Sequence, residues 1–333
     1  MASDKEIVLV TGASGFLANE IVRAFLNASY RVRGTVRSKE TADKVRNEFP
    51  GVSESDLSFA FVPDIAAEGA LDEAVKGVSG VIHTAAPVFY GTNHFDEKQL
   101  EPAVLGTRNA LKSIKQYGSN VKAVVITSSF AAIEDFSKGP RPGYVYTEKD
   151  WFPATIEHAK ENPGIGYALS KKIPEQEAWA WYEQEKPSWK LSAMCPPFIY
   201  GPVSTLQPLS RLNQSSGDVY NLMFGKMKEV PPTIMPSFVD VRDAAETHLK
   251  AFQKQAEGRF IPAGGKYLFA TICEILAKNF SEKADVIPKP TAEQLNLETF
   301  TVDNSRAVKE LGMNFRSLEE CIVDAGRTYL QLH

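Results

Sequence analysis

Short apolar runs alternate with amphipathic stretches through the first half of the chain. IVLVTG reads as a buried strand, LANEIVRAFLNAS as an amphipathic helix, YRVRGTVR as the next strand and ETADKVRNEF as a polar helix. LSFAFVPD, GVSGVIHTAA and VKAVVITSS supply further strands, with helical stretches expected around residues 68–76 and 98–117. Strands apolar along their whole length belong in a sheet covered on both faces, and their alternation with helices predicts parallel strands joined by crossovers. The expectation is an α/β fold with a doubly wound parallel sheet.

After about residue 196 the pattern loosens. PPFIYGP, QPLSRLNQSSGD and VPPTIMPS are rich in turn residues and read as loops and short elements. Helical periodicity returns near 241–256, 269–281 and 315–331. No internal repeat or low-complexity linker separates the halves, so the C-terminal part is expected as a smaller lobe over one end of the sheet.

Composition removes several classes of function. The 37 basic and 41 acidic residues are spread without long blocks and leave a net charge of −4, so no basic stripe suits nucleic acid or an anionic membrane surface. No apolar stretch approaches the roughly 18 residues of a membrane span. The start, MASDKEIVLV, lacks a basic region, a long apolar core and a cleavage site, and a cytoplasmic setting is the default expectation. Cys195, Cys273 and Cys321 are too few and too scattered for a disulfide framework or a metal knuckle. No metal is expected.

The loop TGASGFLA joins the first strand to the first helix and spaces Gly12, Gly15 and Ala18 as G-x-x-G-x-x-A. Gly12 makes a tight turn, Gly15 lets the backbone approach a pyrophosphate at the helix N-terminus, and Ala18 allows helix and strand to pack closely. In the first βα unit this pattern predicts dinucleotide binding. It makes residues 1–195 a Rossmann-type domain with a returning segment near 236–262, and residues 196–333 a smaller, interleaved substrate-binding lobe. The second strand ends in Arg37, where an NAD-selective protein has an acid for the ribose. Arginine there, with Lys39 and Lys44 downstream, suits a 2′-phosphate and favours NADP(H). Asp64, after the third strand, is placed to contact the adenine amino group, to cap the following helix, or both.

In GYALSKK, Tyr167 and Lys171 are four residues apart, on one face if the stretch is helical. A phenol with a pKa near 10 is a poor acid at neutral pH, and a nearby cation brings it towards its working range. The serine pair Ser128 and Ser129 lies upstream. Pro174, three residues after Lys171, predicts a local kink or an altered helix start near Ser170, because an interior proline costs around 3 kcal/mol.

In this order and spacing the pieces resemble the extended short-chain dehydrogenase/reductase family. The likeness extends to fungal reductases similar to methylglyoxal reductase and to plant dihydroflavonol reductases. It is carried by TGASGFLA, VRGTVR with Arg37, PDI with Asp64, HTAAPV at 83–88, VVITSS at 124–129, Tyr167/Lys171, PPFIYGP at 196–202 and FVDVRDAA at 238–245. It covers roughly residues 5 to 250.

The resemblance implies a Ser-Tyr-Lys site. Tyr167 protonates a carbonyl oxygen as hydride arrives from NADPH, Lys171 lowers the phenol pKa and holds the nicotinamide ribose, and a serine bonds the developing alkoxide. Family alignment selects Ser129, with Ser128 as the fallback. It implies cofactor contacts from Thr11, Gly12, Ser14, Gly15, Phe16, Leu17, Arg37, Lys44, Asp64, Ile65, Thr84, Ala85, Ala86, Tyr167, Lys171, Pro196 and Phe198. Phe89, Tyr90, Phe130, Ile133 and Tyr200 are expected to line an aromatic, apolar substrate pocket suited to hydrophobic ketones or aldehydes. His83, at the end of a buried strand, reads as a core histidine, and Asp240 and Asp243 as structural groups. The expected partner is a small-molecule carbonyl substrate, with no nucleic acid and no membrane, in a monomer or homodimer. An epimerase or dehydratase of the same fold and a non-catalytic NADP-binding sensor are the alternatives.

Overall fold

The structure, a computed structural model, describes residues 5–86, 100–159 and 163–333. The first part runs β1 (Ile7–Val10), α1 (Phe16–Asn27), β2 (Arg31–Val36), α2 (Lys39–Asn47), β3 (Leu57–Phe61), β4 (Gly80–His83), α3 (Glu101–Tyr117) and β5 (Ala123–Thr127). There follow β6 (Val145–Tyr146), α4 (Ile156–Ala159), α5 (Pro163–Glu185) and β7 (Lys190–Met194). The remainder comprises β8 (Phe198–Tyr200), α6 (Gln214–Met223), β9 (Ser237–Asp240), α7 (Val241–Gln253), β10 (Gly258–Phe260), β11 (Gly265–Lys266), α8 (Phe269–Asn279), α9 (Ala292–Leu295), β12 (Thr301–Val302) and α10 (Leu318–Leu332).

Seven strands form one sheet in the order β10-β7-β5-β4-β1-β2-β3, and every neighbouring pair is parallel. The strand order reverses between β1 and β4, which opens a crevice at their C-terminal ends. Side chains alternate across the sheet as the pleat demands. Val8, Val10, Ile82 and Val125 face Ile21 and Phe25 of α1 and Phe252 of α7. Leu9, Val81, Val124 and Ile126 face Leu111 and Ile114 of α3 and Ala178 of α5. Both faces are therefore sealed by helices, which is why these strands read as continuous apolar runs.

The small sheet β11-β9-β8 and the helices α6, α8 and α10 share a separate core built around Tyr200, Phe238, Tyr267, Leu276 and Tyr329. β10 returns to pair with β7 in the large sheet. Among the described residues no helix is long and apolar enough to cross a membrane, and no group of three or more His, Cys, Asp or Glu could hold a metal ion.

Two local expectations fail and a third fails in part. The stretch 68–76 is a chain of turns with mainly i→i−3 bonds (Asp72 N to Gly69 O, 3.0 Å; Lys76 N to Glu73 O, 3.4 Å). Gly69 sits at φ +72° and Gly77 at φ +71°, conformations that a continuing α-helix does not use. Conversely, part of the turn-rich QPLSRLNQSSGD run starts α6, where Ser215, Ser216, Val219, Tyr220, Leu222 and Met223 are buried. Tertiary burial here overrides weak local propensity. Finally, of the two outcomes expected from Pro174, the altered start near Ser170 does not occur, since α5 starts at Pro163 and is helical through Pro174.

Gly34 of β2 is held by contact rather than conformation. A Cβ there would lie 2.8 Å from the Ala13 Cβ, in the loop that follows β1. The Ala13 amide donates to Thr35 O (3.0 Å), so the loop cannot retreat without losing a backbone bond. Gly34→Ala is expected to lower stability by about 1–3 kcal/mol, the usual cost of overpacking, and to weaken dinucleotide binding. Thermal unfolding with and without NADPH checks both effects; an unchanged midpoint and unchanged cofactor shift contradict the contact argument.

Candidate active site

Because the sheet is parallel, the C-terminal ends of its strands lie along one edge, and the residues singled out by motif follow those ends. The loop from Thr11 to Leu17 follows β1, Arg37 follows β2, Asp64 and Ile65 follow β3, and Thr84 to Ala86 follow β4. Ser128 and Ser129 follow β5, and Pro196 follows β7.

The crevice is pinned by Thr11. Its amide continues the β1–β4 ladder to Ile82 O (3.0 Å), and its hydroxyl oxygen accepts from the amides of Thr84 and Ala85, each at 3.0 Å. The Thr11 Oγ1 lies 3.2 Å from His83 Nδ1. Burial, reinforced by the nearby Lys171 charge, pushes His83 down to about 4, so it is neutral at physiological pH. It is a hydrogen-bonded part of the wall.

Gly12 turns at φ +67°, and its amide donates to Thr35 Oγ1 (2.9 Å). A Cβ on Gly12 would stand 3.2 Å from that of Ala85, so the two loops bordering the crevice nearly touch. Gly15 is the N-cap of α1, with no side-chain cap and no acidic residue in the first turn. That leaves amides and the positive end of the helix dipole for an anion, which fits a pyrophosphate.

Arg37 is exposed just beyond β2, with no hydrogen-bond or ion-pair partner among the described residues. Lys39 pairs with Asp43 (2.8 Å) and Lys44 with Glu40 (2.7 Å) on the surface of α2, which leaves Arg37 the uncommitted cation there. Asp64 is exposed, and its Oδ1 accepts from Ala66 N (2.9 Å), a local turn cap. Ile65 packs against Gly106 of α3.

Tyr167, Lys171 and Glu175 recur at four-residue spacing along α5. Lys171 Nζ lies 5.7 Å from the Tyr167 ring centroid. Burial pushes the Lys171 ammonium down to about 8. It also borders a cleft of about 30 Å³ lined in part by His83, Thr127, Ser128, Ser170 and Glu175.

Glu175 is the residue that motif reading missed. Its carboxylate accepts from Ser128 Oγ (2.5 Å), Arg259 Nε (2.6 Å) and Trp179 Nε1 (3.2 Å). Arg259 stacks on Trp151, 3.7 Å from the ring centroid, and donates to Glu148 O and Asp150 O, both at 2.7 Å. Both charged side chains are almost fully buried. The spacing from Lys171 was the signal available in the sequence; Arg259, 84 residues away, left none. This anchorage follows Pro174 directly and explains how α5 tolerates the proline. Ser170 Oγ meanwhile donates to Tyr167 O (2.7 Å).

The two serines differ. Ser128 is committed to Glu175, whereas the Ser129 Oγ caps a 3-10 turn over Phe130–Ala132 by accepting from Ala131 N (3.1 Å), leaving its own proton to donate. The Phe130 amide donates to Pro196 O (2.9 Å), joining the serine turn to the segment before β8. Phe198 is half-buried and stacks on Tyr200 at 6.1 Å. Phe130 is fully buried against Tyr146 and Phe300, so its ring is committed to packing; Ile133 and Tyr200 are also buried. Phe89 and Tyr90 lie outside the described residues. Asp240 caps α7 and pairs with Arg242, while Asp243 pairs with Arg316.

The model of the NAD dependent epimerase/dehydratase family matches residues 8–264. An uncharacterised oxidoreductase of Schizosaccharomyces pombe is 38% identical over 97% of this chain and 96% of its own length. The NADPH-dependent methylglyoxal reductase of Saccharomyces cerevisiae is 34% identical over 97% of this chain and 98% of its own. The crystal structure of yeast methylglyoxal/isovaleraldehyde reductase complexed with NADPH superposes with a TM-score of 0.88 at 32% identity, covering 98% of both chains.

Removing the Glu175 carboxylate strands a buried guanidinium. Glu175→Ala is expected to cost about 3–5 kcal/mol. Urea denaturation checks it, and a loss below about 1 kcal/mol contradicts a buried pair.

Proposed function

The chain belongs to the extended short-chain dehydrogenase/reductases, within the NAD dependent epimerase/dehydratase family, and on that premise we propose that it is an NADPH-dependent carbonyl reductase. The observation that carries the reading is that Lys171 lies 5.7 Å from the Tyr167 ring on a helix whose Tyr167 packs against the turn that Ser129 caps, with an unpaired Arg37 just beyond β2. The relatives' NADPH dependence and carbonyl substrates support it.

NADPH supplies the hydride when bound. With the Gly12, Ala13 and Gly15 amides bonded within the protein, the amides of Ser14, Phe16 and Leu17 would hold its pyrophosphate, Arg37 its 2′-phosphate, and the small residues Thr84, Ala85 and Ala86 leave room for it against β4. Pro196 and Phe198 border the nicotinamide end. Tyr167 donates its phenolic proton to the substrate carbonyl oxygen as negative charge develops there. Ser129 donates a second hydrogen bond to that oxygen, and the carboxylate partner of Ser128 supports this choice of serine. Lys171 keeps a positive charge near the phenol, favouring the phenolate left after transfer, and holds the ribose hydroxyls. Ile133, Tyr200 and Phe198 shape the substrate side, with Phe130 supporting them from the core.

Tyr167→Phe is expected to lower kcat for ketone reduction at least about a hundredfold, with NADPH still bound. Loss of NADPH absorbance measures turnover, and wild-type rates in this variant contradict the assignment. Lys171 is an ammonium below about pH 8 and a neutral amine above it. Since the charged form assists the phenol, kcat/KM falls as pH rises through that value; a profile flat to strongly alkaline pH argues against its role. Arg37→Asp is expected to raise KM for NADPH about tenfold to a hundredfold, through loss of charged hydrogen bonds. An unchanged preference for NADPH over NADH removes Arg37 from the 2′-phosphate site.

A further inference from the structure

The reaction proposed above uses Ser129 and gives its neighbour Ser128 no part, yet Ser128 is the more firmly anchored of the two. Its amide donates to Met194 O of β7 (2.8 Å) and its hydroxyl to Glu175 Oε2 of α5 (2.5 Å). The residue is 6% exposed and borders the small cleft that Lys171 also lines. A serine held at both its backbone and its hydroxyl has one orientation.

Glu175 is held in place before that hydroxyl reaches it. Its Oε1 accepts from Arg259 Nε (2.6 Å) and Trp179 Nε1 (3.2 Å). On Oε2 the other contacts are long, Arg259 Nη2 at 3.4 Å and Cys195 Sγ at 3.8 Å, so Ser128 supplies the short bond there. Without Ser128 the buried pair with Arg259 would still tie α5 to β10. What the serine adds is the placement of the β5 end against the helix.

That placement passes to Ser129 through the chain itself. The two serines share one planar peptide, and Ser129 is extended at φ −158° and ψ 153°, so their side chains leave on opposite sides. Fixing Ser128 therefore fixes the direction of the Ser129 hydroxyl. Along α5, Glu175 is one turn from Lys171 and two from Tyr167. The Ser128–Glu175 bond is a strut between the turn that carries one hydroxyl donor and the helix that carries the other.

We propose that Ser128 is a positioning residue, which sets the Ser129 hydroxyl relative to the Tyr167 phenol through its bond to Glu175. The proposal rests on the reductase reading. A donor misplaced by about 1 Å can lower a rate about a hundredfold. Cofactor contacts and the apolar contacts to substrate do not pass through this strut, so its loss falls on kcat.

The test is a double-mutant cycle of Ser128→Ala and Ser129→Ala, read by NADPH consumption with 2-hexanone, acetophenone and isovaleraldehyde. Ser129→Ala is expected to lower kcat about a hundredfold to a thousandfold, the usual loss for one such donor. Ser128→Ala is expected to lower kcat about tenfold to a hundredfold, with KM for the carbonyl substrate and the NADPH dissociation constant within about threefold of wild type. Because Ser128 acts through Ser129, the double variant is expected within about threefold of Ser129→Ala alone. Losses that multiply in the double variant overturn the proposal, as does a Ser128→Ala enzyme with wild-type kcat or with its loss in KM. A wild-type rate in Ser129→Ala makes Ser128 the donor and overturns it equally. Thermal unfolding reads the fold separately. Ser128→Ala keeps the Glu175–Arg259 pair, so its midpoint is expected within about 5 °C of wild type. A kcat loss that comes with a larger fall is a folding defect and counts against positioning. If wild type consumes NADPH with none of the three carbonyls, the reductase reading fails first and takes the positioning role with it.

Discussion

The Glu175 carboxylate is the constraint on which the rest of the site depends. It sits eight residues along α5 from Tyr167 and accepts hydrogen bonds from the end of β5, from β10 and from its own helix. A buried carboxylate is costly unless its lone pairs are filled, so this group tolerates little movement of the helix relative to the sheet. The face of α5 that carries Tyr167 and Lys171 is thereby referenced to the strand end that carries Ser129. Pro174 weakens the helix one residue earlier, and the fixed carboxylate limits the consequence.

The cofactor side is organised by close approach. Thr11 spends its hydroxyl on the loop after β4, Gly12 turns with a positive φ beside Ala85, and Gly34 lets Ala13 lie against β2. Each contact narrows the crevice while leaving the first-turn amides of α1 uncapped. A rigid wall beside unsatisfied donors recognises an anion by geometry, and the exposed Arg37 adds charge where the second strand ends. Beyond β7 the organisation is different, with aromatic rings of Phe198, Tyr200 and Tyr267 packed against one another.

Much of this was legible from the chain alone. Uniformly apolar strands, the glycine loop, Arg37 and the Tyr167/Lys171 spacing depend on residues adjacent in sequence or one helical turn apart, and local periodicity records such relations directly. The expected helix at 68–76 was misread because Gly69 and Gly77 adopt turn conformations within an otherwise helical composition. The helix at Gln214–Met223 was missed because its first residues are turn formers and its stability comes from burial against the second lobe.

The sequence by itself determined the fold class, the glycine loop between β1 and α1 and the one-turn spacing of Tyr167 and Lys171, since those follow from spacing and backbone chemistry. Only the tertiary structure decided that Ser128 is engaged by Glu175, that Arg259 completes that pair from 84 residues away, and that Glu134 is fully buried. The physical reason is that desolvation and hydrogen-bond partnership are set by which distant segments enclose a group. A glutamate in AAIEDF and a glutamate in IPEQEA look alike in the chain, and the surroundings keep one protonated by burial and make the other the carboxylate partner of a buried arginine.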